Sequence, residues 1–121
     1  MIMCFYILFT ITIQMIKERY DELNSDIRKK VYTIAVSGRI DTLTAPSLEE
    51  KVREIENDAD KLIIDMRAVE YISSAGLRVI VAAHRTMLPK NGLVLRGLTK
   101  NVSTVINLTG FNKILNIEVS Q

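Results

Sequence analysis

Two adjacent serines, Ser73 and Ser74, precede the small pair Ala75-Gly76, and an apolar stripe follows at Leu77, Ile80, Val81 and His84. That spacing predicts a helix with both serines at its N-terminus. The first N–H groups of a helix lack intrahelical partners, and its dipole is positive there. A serine at this place can accept one of those N–H groups as an N-cap. That is the commoner use of a serine there, but it can also carry a phosphate, which the same groups stabilise without unfolding the helix. Local chemistry alone does not choose between cap and phosphosite.

Other chemistry is thinly supplied. His84 is the only histidine and lies ten residues after Ser74 on the same expected helix. At 1.5 Å per residue that is roughly 15 Å along the axis, too far for a hydrogen bond. No Gly-x-Ser-x-Gly elbow accompanies the serine, so a small-molecule-binding or enzymatic α/β domain is the weakest reading, and His84 reads as a packed or edge histidine. Cys4 is the only cysteine, so no intramolecular disulfide can form. Asp41 and Asp65 are the carboxylates available for a metal pair, but Asp65 closes an apolar run and reads as satisfying nearby backbone. There is no Gly-rich phosphate loop. The chain is therefore read as having no catalytic residues, no metal and no cofactor.

The overall charge narrows the partners. Sixteen basic residues against 14 acidic ones give +2, with no Trp. That balance argues against nucleic acid or an anionic membrane surface as the ligand. Glu49-Glu50-Lys51 and Arg53-Glu54 read as a solvated helix face.

The 121 residues suit one domain with one core. Val31–Ser37 alternates and is β-branched, which predicts a strand ended by Gly38. Thr44 before Ala45-Pro46 is a helix start, and Leu48, Val52, Ile55 and Ala59 form one stripe, for a helix over 45–58. Leu62-Ile63-Ile64 is a continuous apolar run ending in Asp65, expected to be a central buried strand with a turn after it. A second helix is expected over 75–88. Asn91-Gly92 signals a turn before the strand Leu93–Leu95. Thr99 caps a third helix over 100–109 that stops at Gly110, and 114–119 is a last strand. This order predicts an α/β domain with a parallel or mixed sheet.

The N-terminus reads MIMCFYILFTITI, almost wholly apolar yet shorter than the ~20 residues of a membrane-spanning helix. From Thr10 it alternates, with Ile11, Ile13 and Met15 on one face, which predicts a strand over 10–16 at the sheet edge or across a dimer. The expected division is a leader over 1–16 and a domain over 17–121. Lys17–Lys30, rich in charge, reads as a hairpin connection or a short helix between them.

Three segments together resemble the STAS family, and within it the bacterial anti-sigma factor antagonists. Tyr71-Ile72-Ser73-Ser74-Ala75-Gly76-Leu77 is similar to the signature around the family's phosphorylated serine. Ser37-Gly38-Arg39-Ile40-Asp41, with Thr44 and Leu48, resembles the family's turn into its first helix. Leu108–Ile114 resembles its C-terminal helix and strand. The resemblance runs from about Val31 to Val119. It implies a STAS-like α/β fold with a mixed four- to five-stranded sheet and helices mainly on one side. Ser74 takes the phosphoacceptor place, Gly76 the glycine that lets the helix start pack closely, and Asp41 the acidic residue that meets the partner. Ser73 stands where many members have Asp, which removes one negative charge beside the acceptor.

The implied function is a cytoplasmic, non-enzymatic switch. Its partner is an anti-sigma factor with serine kinase activity, met by Asp41, Ser73, Ser74, Ala75, Gly76 and Arg78 and reset by a serine phosphatase. The same fold also serves as a scaffold or transporter-accessory module, in which the serine need not be phosphorylated.

Overall fold

A computed structural model describes residues 18–24 and 27–118, with side chains from Lys30 onward. The expected strand over 10–16, and any dimer contact through it, lie outside the described residues. The elements in chain order are β1 (Glu18–Asn24), β2 (Ile27–Ile40), α1 (Ala45–Glu56), β3 (Lys61–Ile72), α2 (Ser74–Met87), β4 (Leu93–Arg96), α3 (Lys100–Thr109) and β5 (Asn116–Glu118). A single 3₁₀ turn, Phe111–Lys113, precedes β5. The sheet order is β1-β2-β3-β4-β5. β1 pairs antiparallel with β2, and the other neighbours are parallel, so the sheet is mixed as expected.

One face of the sheet carries the core. Tyr32 pairs with Leu62 and Ile34 with Ile64, while Leu62 and Ile64 in turn meet Leu93 and Leu95. Residues two apart on a strand share a face. All of these belong to one buried cluster with Leu48, Val52 and Ile55 of α1, Leu77 and Ile80 of α2, and Val102 and Ile106 of α3. The three helices therefore lie on the same side of the sheet. The opposite face is not uniformly wet, because Val31, Thr33 and Ile63 are buried there too.

Several boundaries differ from the sequence expectation, each for a physical reason. The charged stretch, expected as a hairpin connection or a short helix, is not helical: it holds β1 and the start of β2, paired antiparallel. The register of that pair runs from Glu18 opposite Thr33 to Asn24 opposite Ile27. β2 does not stop at Gly38 but runs on to Ile40, and β3 continues seven residues past Asp65 to Ile72.

Two register shifts make this extension possible. Ala35 to Ser37 is matched by Asp65 to Ala68, and Gly38 to Arg39 by Val69 to Tyr71, so β3 carries one extra residue at each place. These are bulges on β3. Gly38 supplies φ +86° beside the second. The buried residues of β3 consequently follow at intervals of three, Met66, Val69 and Ile72.

Side chains satisfy the bulged backbone. Asp65 Oδ1 accepts the N–H of Arg67 at 3.1 Å. Thr99 Oγ1 donates to the Val69 carbonyl at 2.8 Å and also accepts the Val102 N–H at 3.4 Å, as the cap of α3. α3 ends at Gly110 with φ +80°, the left-handed stop expected of a glycine there.

Candidate functional site

The carboxyl ends of β2 and β3 meet the start of α2, and one backbone bond ties them together. The Ser73 N–H donates to the Ile40 carbonyl at 2.8 Å. The residue after Ile40 is Asp41, so this bond holds the serine pair beside the turn that leads into α1.

That turn is rigidly built. Asp41 Oδ1 accepts the N–H of Leu43 at 3.0 Å, the N–H of Thr44 at 3.2 Å and the Thr44 hydroxyl at 3.2 Å. The Asp41 N–H donates to Thr44 Oγ1 at 2.8 Å, and the single proton of that hydroxyl is shared between Asp41 Oδ1 and the nearer Arg39 carbonyl at 2.9 Å. Thr44 occupies the N-cap place of α1, but its hydroxyl makes no cap bond to the helix. Its hydroxyl and the Asp41 carboxylate close the turn itself. Asp41 is therefore a structural acceptor as well as a partly exposed charge. Arg39 lies 3.8 Å from Asp41 Oδ2, with its guanidinium 4.4 Å from the centre of the Tyr71 ring.

The two serines divide the roles that the sequence left open. Ser73 has extended backbone and is the N-cap of α2, its Oγ accepting the Gly76 N–H at 3.5 Å. Ser74 is the first helical residue and is exposed. The cap is thus made by Ser73, which leaves Ser74 exposed in the first turn of α2. Ala75 is half-buried and Arg78 exposed, one turn further on.

Gly76 is buried, and a Cβ there would stand 2.6 Å from Ile40 Cγ2 and 2.9 Å from Ile72 Cγ1. Only glycine lets the first turn of α2 sit on the ends of both strands. The residues named from the sequence, Asp41, Ser73, Ser74, Ala75, Gly76 and Arg78, are thereby brought to one end of the domain.

Leu43 was not singled out by sequence reasoning, yet it is 85% exposed at the tip of the Asp41–Thr44 turn. Its signal was negative: an apolar residue belonging to no helical stripe or strand alternation. Tyr71, also partly exposed, belongs to the same end of the sheet.

The remaining candidates are used elsewhere. Asp65 makes a fork with Arg67, Nη2 to Oδ2 at 2.6 Å and Nε to Oδ1 at 3.0 Å. The Arg67 hydrogen bond holds the Asp65 carboxyl below its ordinary value despite partial burial. His84 is buried on the core stripe, with no hydrogen-bond partner for Nδ1 among the described residues. Among the described residues no group of three or more His, Cys, Asp or Glu is arranged to hold a metal ion. No helix of the described residues is long and apolar enough to cross a membrane.

The fold and this end of it define a class. The family model described as the STAS domain matches residues 11–120, and the chain belongs to the STAS domain family. Within it, the chain is 35% identical over 86 residues to the anti-sigma-F factor antagonist RsfB of Mycobacterium tuberculosis, covering 69% of each chain. It is 30% identical over 98 residues to the anti-sigma-B factor antagonist of Bacillus subtilis, covering 78% of this chain and 90% of that one. Among solved structures it is similar to an anti-sigma factor antagonist from Mycobacterium paratuberculosis. That match has a TM-score of 0.69 and 28% identity, covering 85% of this chain and 86% of the other.

Proposed function

We propose that this protein is an anti-sigma factor antagonist switched off by phosphorylation of Ser74. The observation that carries the reading is the division between the serines: Ser73 caps α2, while Ser74 is exposed and makes no cap bond. The family relationship supports an anti-sigma factor as the partner, and in this reading that factor carries the serine kinase activity. Unphosphorylated, the surface of Ser74, Asp41, Leu43 and the first turn of α2 binds that factor, and the sigma factor it held is freed. The kinase transfers phosphate from ATP to Ser74 Oγ, which adds about −1.5 to −2 charges. Such a charge inside an interface costs several kcal/mol when unpaired, enough to weaken binding by orders of magnitude. A serine phosphatase restores the binding form. The chain is the substrate and ligand of these enzymes.

The test is phosphorylation by the partner kinase with ATP, followed by mass spectrometry. Label on Ser74, lost in Ser74→Ala and retained at Ser74 in Ser73→Ala, is the expected result. Phosphate found on Ser73 overturns the assignment. Absence of label on either serine favours a scaffold or transporter-accessory role instead.

A further inference from the structure

We propose that Arg78 is the intramolecular counter-ion of a phosphate on Ser74. The inference rests on reading Ser74 as the phosphoacceptor and names what receives the phosphate on its own chain. Ser74 is the first residue of α2, and Arg78 lies four residues later; both are exposed. Residues four apart on a helix are surface neighbours, with Cβ atoms about 5–6 Å apart. Helical side chains lean toward the N-terminus, so Arg78 is directed back over the turn that holds Ser74. An anion N-terminal to its cation is also the favourable order for such a pair. A guanidinium offers a planar fork that matches phosphate oxygens two at a time.

The neighbouring charges favour Arg78 for this role. Arg39 is stacked on Tyr71 and lies 3.8 Å from Asp41 Oδ2, and Arg67 is forked onto Asp65. Arg78 enters no ion pair among the described residues. Its need is set by Asp41, whose carboxylate is fixed by Leu43 and Thr44 next to the Ile40–Ser73 bond. A phosphate on Ser74 arrives at the same end of the domain as that fixed negative charge, where a cation one turn along relieves the repulsion. Before modification Arg78 is an exposed cation beside the acceptor serine, available to an acidic group of the partner. Phosphorylation withdraws it in cis, so the surface changes by more than the charge that is added.

The experiment installs phosphoserine at position 74 of the full chain by genetic code expansion, with no kinase involved. The second ionisation of the phosphate is followed by ³¹P NMR in the parent, Arg78→Gln, Arg78→Lys and Arg85→Gln. A unit charge about 5–6 Å away in water accounts for a shift of about half a pH unit. Arg78→Gln should therefore raise the midpoint by about that amount, and Arg78→Lys should keep most of the parent value. Arg85→Gln, an exposed change in the last turn of α2, should leave the midpoint in place. The difference between parent and Arg78→Gln should shrink in about 1 M salt, where the Debye length falls to ~3 Å. In the parent alone, the Arg78 Nε resonance should move with the phosphate's own midpoint. An Arg78→Gln midpoint matching that of Arg85→Gln, or an Nε resonance that ignores the titration, overturns the pairing. Because the phosphoserine is installed directly, a flat titration refutes Arg78 without touching kinase labelling. A failure of every kinase to label Ser74 refutes the switch without touching the titration.

Discussion

Gly76→Ala sets two physical effects against each other at the seat of α2. Alanine is favoured over glycine in a helix by about 0.8–1 kcal/mol, so propensity alone predicts a more stable protein. The new Cβ, however, would stand 2.6 Å from Ile40 Cγ2, 2.9 Å from Ile72 Cγ1 and 3.2 Å from Ile40 Cβ. Ile40 is 0% and Ile72 1% exposed, so neither has solvent to retreat into. Both are β-branched and stiff at χ1. Overpacking costs about 1–3 kcal/mol, and two contacts under 3.0 Å against buried, branched side chains put this one in the upper part of that range, about 2–3 kcal/mol. After the propensity gain, the variant should be about 1–2 kcal/mol less stable, read as a lower urea midpoint at unchanged slope. Ile40→Leu removes the Cγ2 methyl that the new Cβ meets, so the double variant should recover part of the loss. A coupling of about 0.5 kcal/mol or more in the double-mutant cycle is expected. A Gly76→Ala protein as stable as its parent would refute the close seating of the helix on the two strands.

Three further outcomes test the surroundings of the site. Asp41→Ala removes the acceptor of Leu43 N–H, Thr44 N–H and the Thr44 hydroxyl, and should cost about 1–2 kcal/mol in urea unfolding, with Asp41→Asn costing less because it keeps an acceptor oxygen. The Asp65 carboxyl is held below its ordinary value of 3.8, first by the Arg67 hydrogen bond, so its contribution is complete above that value and is lost as pH falls through the lower folded one; Asp65→Asn should flatten this part of the acid dependence of the urea midpoint measured from pH 6 to pH 2. Lys90 Nζ donates to the carbonyls of Glu56 at 2.7 Å, Asn57 at 3.1 Å and Ala59 at 3.0 Å, so Lys90→Met should lower stability by about 1 kcal/mol and speed amide exchange in the turn after α1.

The helices were legible because their stripes obey one period without interruption. Leu48, Val52, Ile55 and Ala59 are all buried, as are Leu77, Ile80, Val81 and His84. Ser73 and Ser74 were correctly set at a helix start, but which one makes the cap depends on backbone geometry that residue types do not encode. The second half of β3 was illegible for a definite reason. Its two bulges space Met66, Val69 and Ile72 three apart, which matches neither the strand period of two nor a lasting helical one. Asp65 looked like a strand end because its carboxylate does satisfy nearby backbone, at a bulge and not at a terminus. The strands β1 and β2 were only half legible before Lys30, because that charge-dense stretch keeps no clear period of two and reads as a hairpin connection or a short helix. Leu43 escaped notice because its exposure is set by a turn held by Asp41 and Thr44, and no periodicity reports on that.

The most direct test of the switch is the affinity of the anti-sigma factor kinase for this protein with phosphoserine installed at position 74, set against the unmodified protein at the same ionic strength. The phosphorylated form should bind at least about 100-fold more weakly, which corresponds to ~2.7 kcal/mol of unpaired charge at the interface. Dissociation constants within about threefold of each other, less than ~1 kcal/mol apart, would contradict a switch at Ser74.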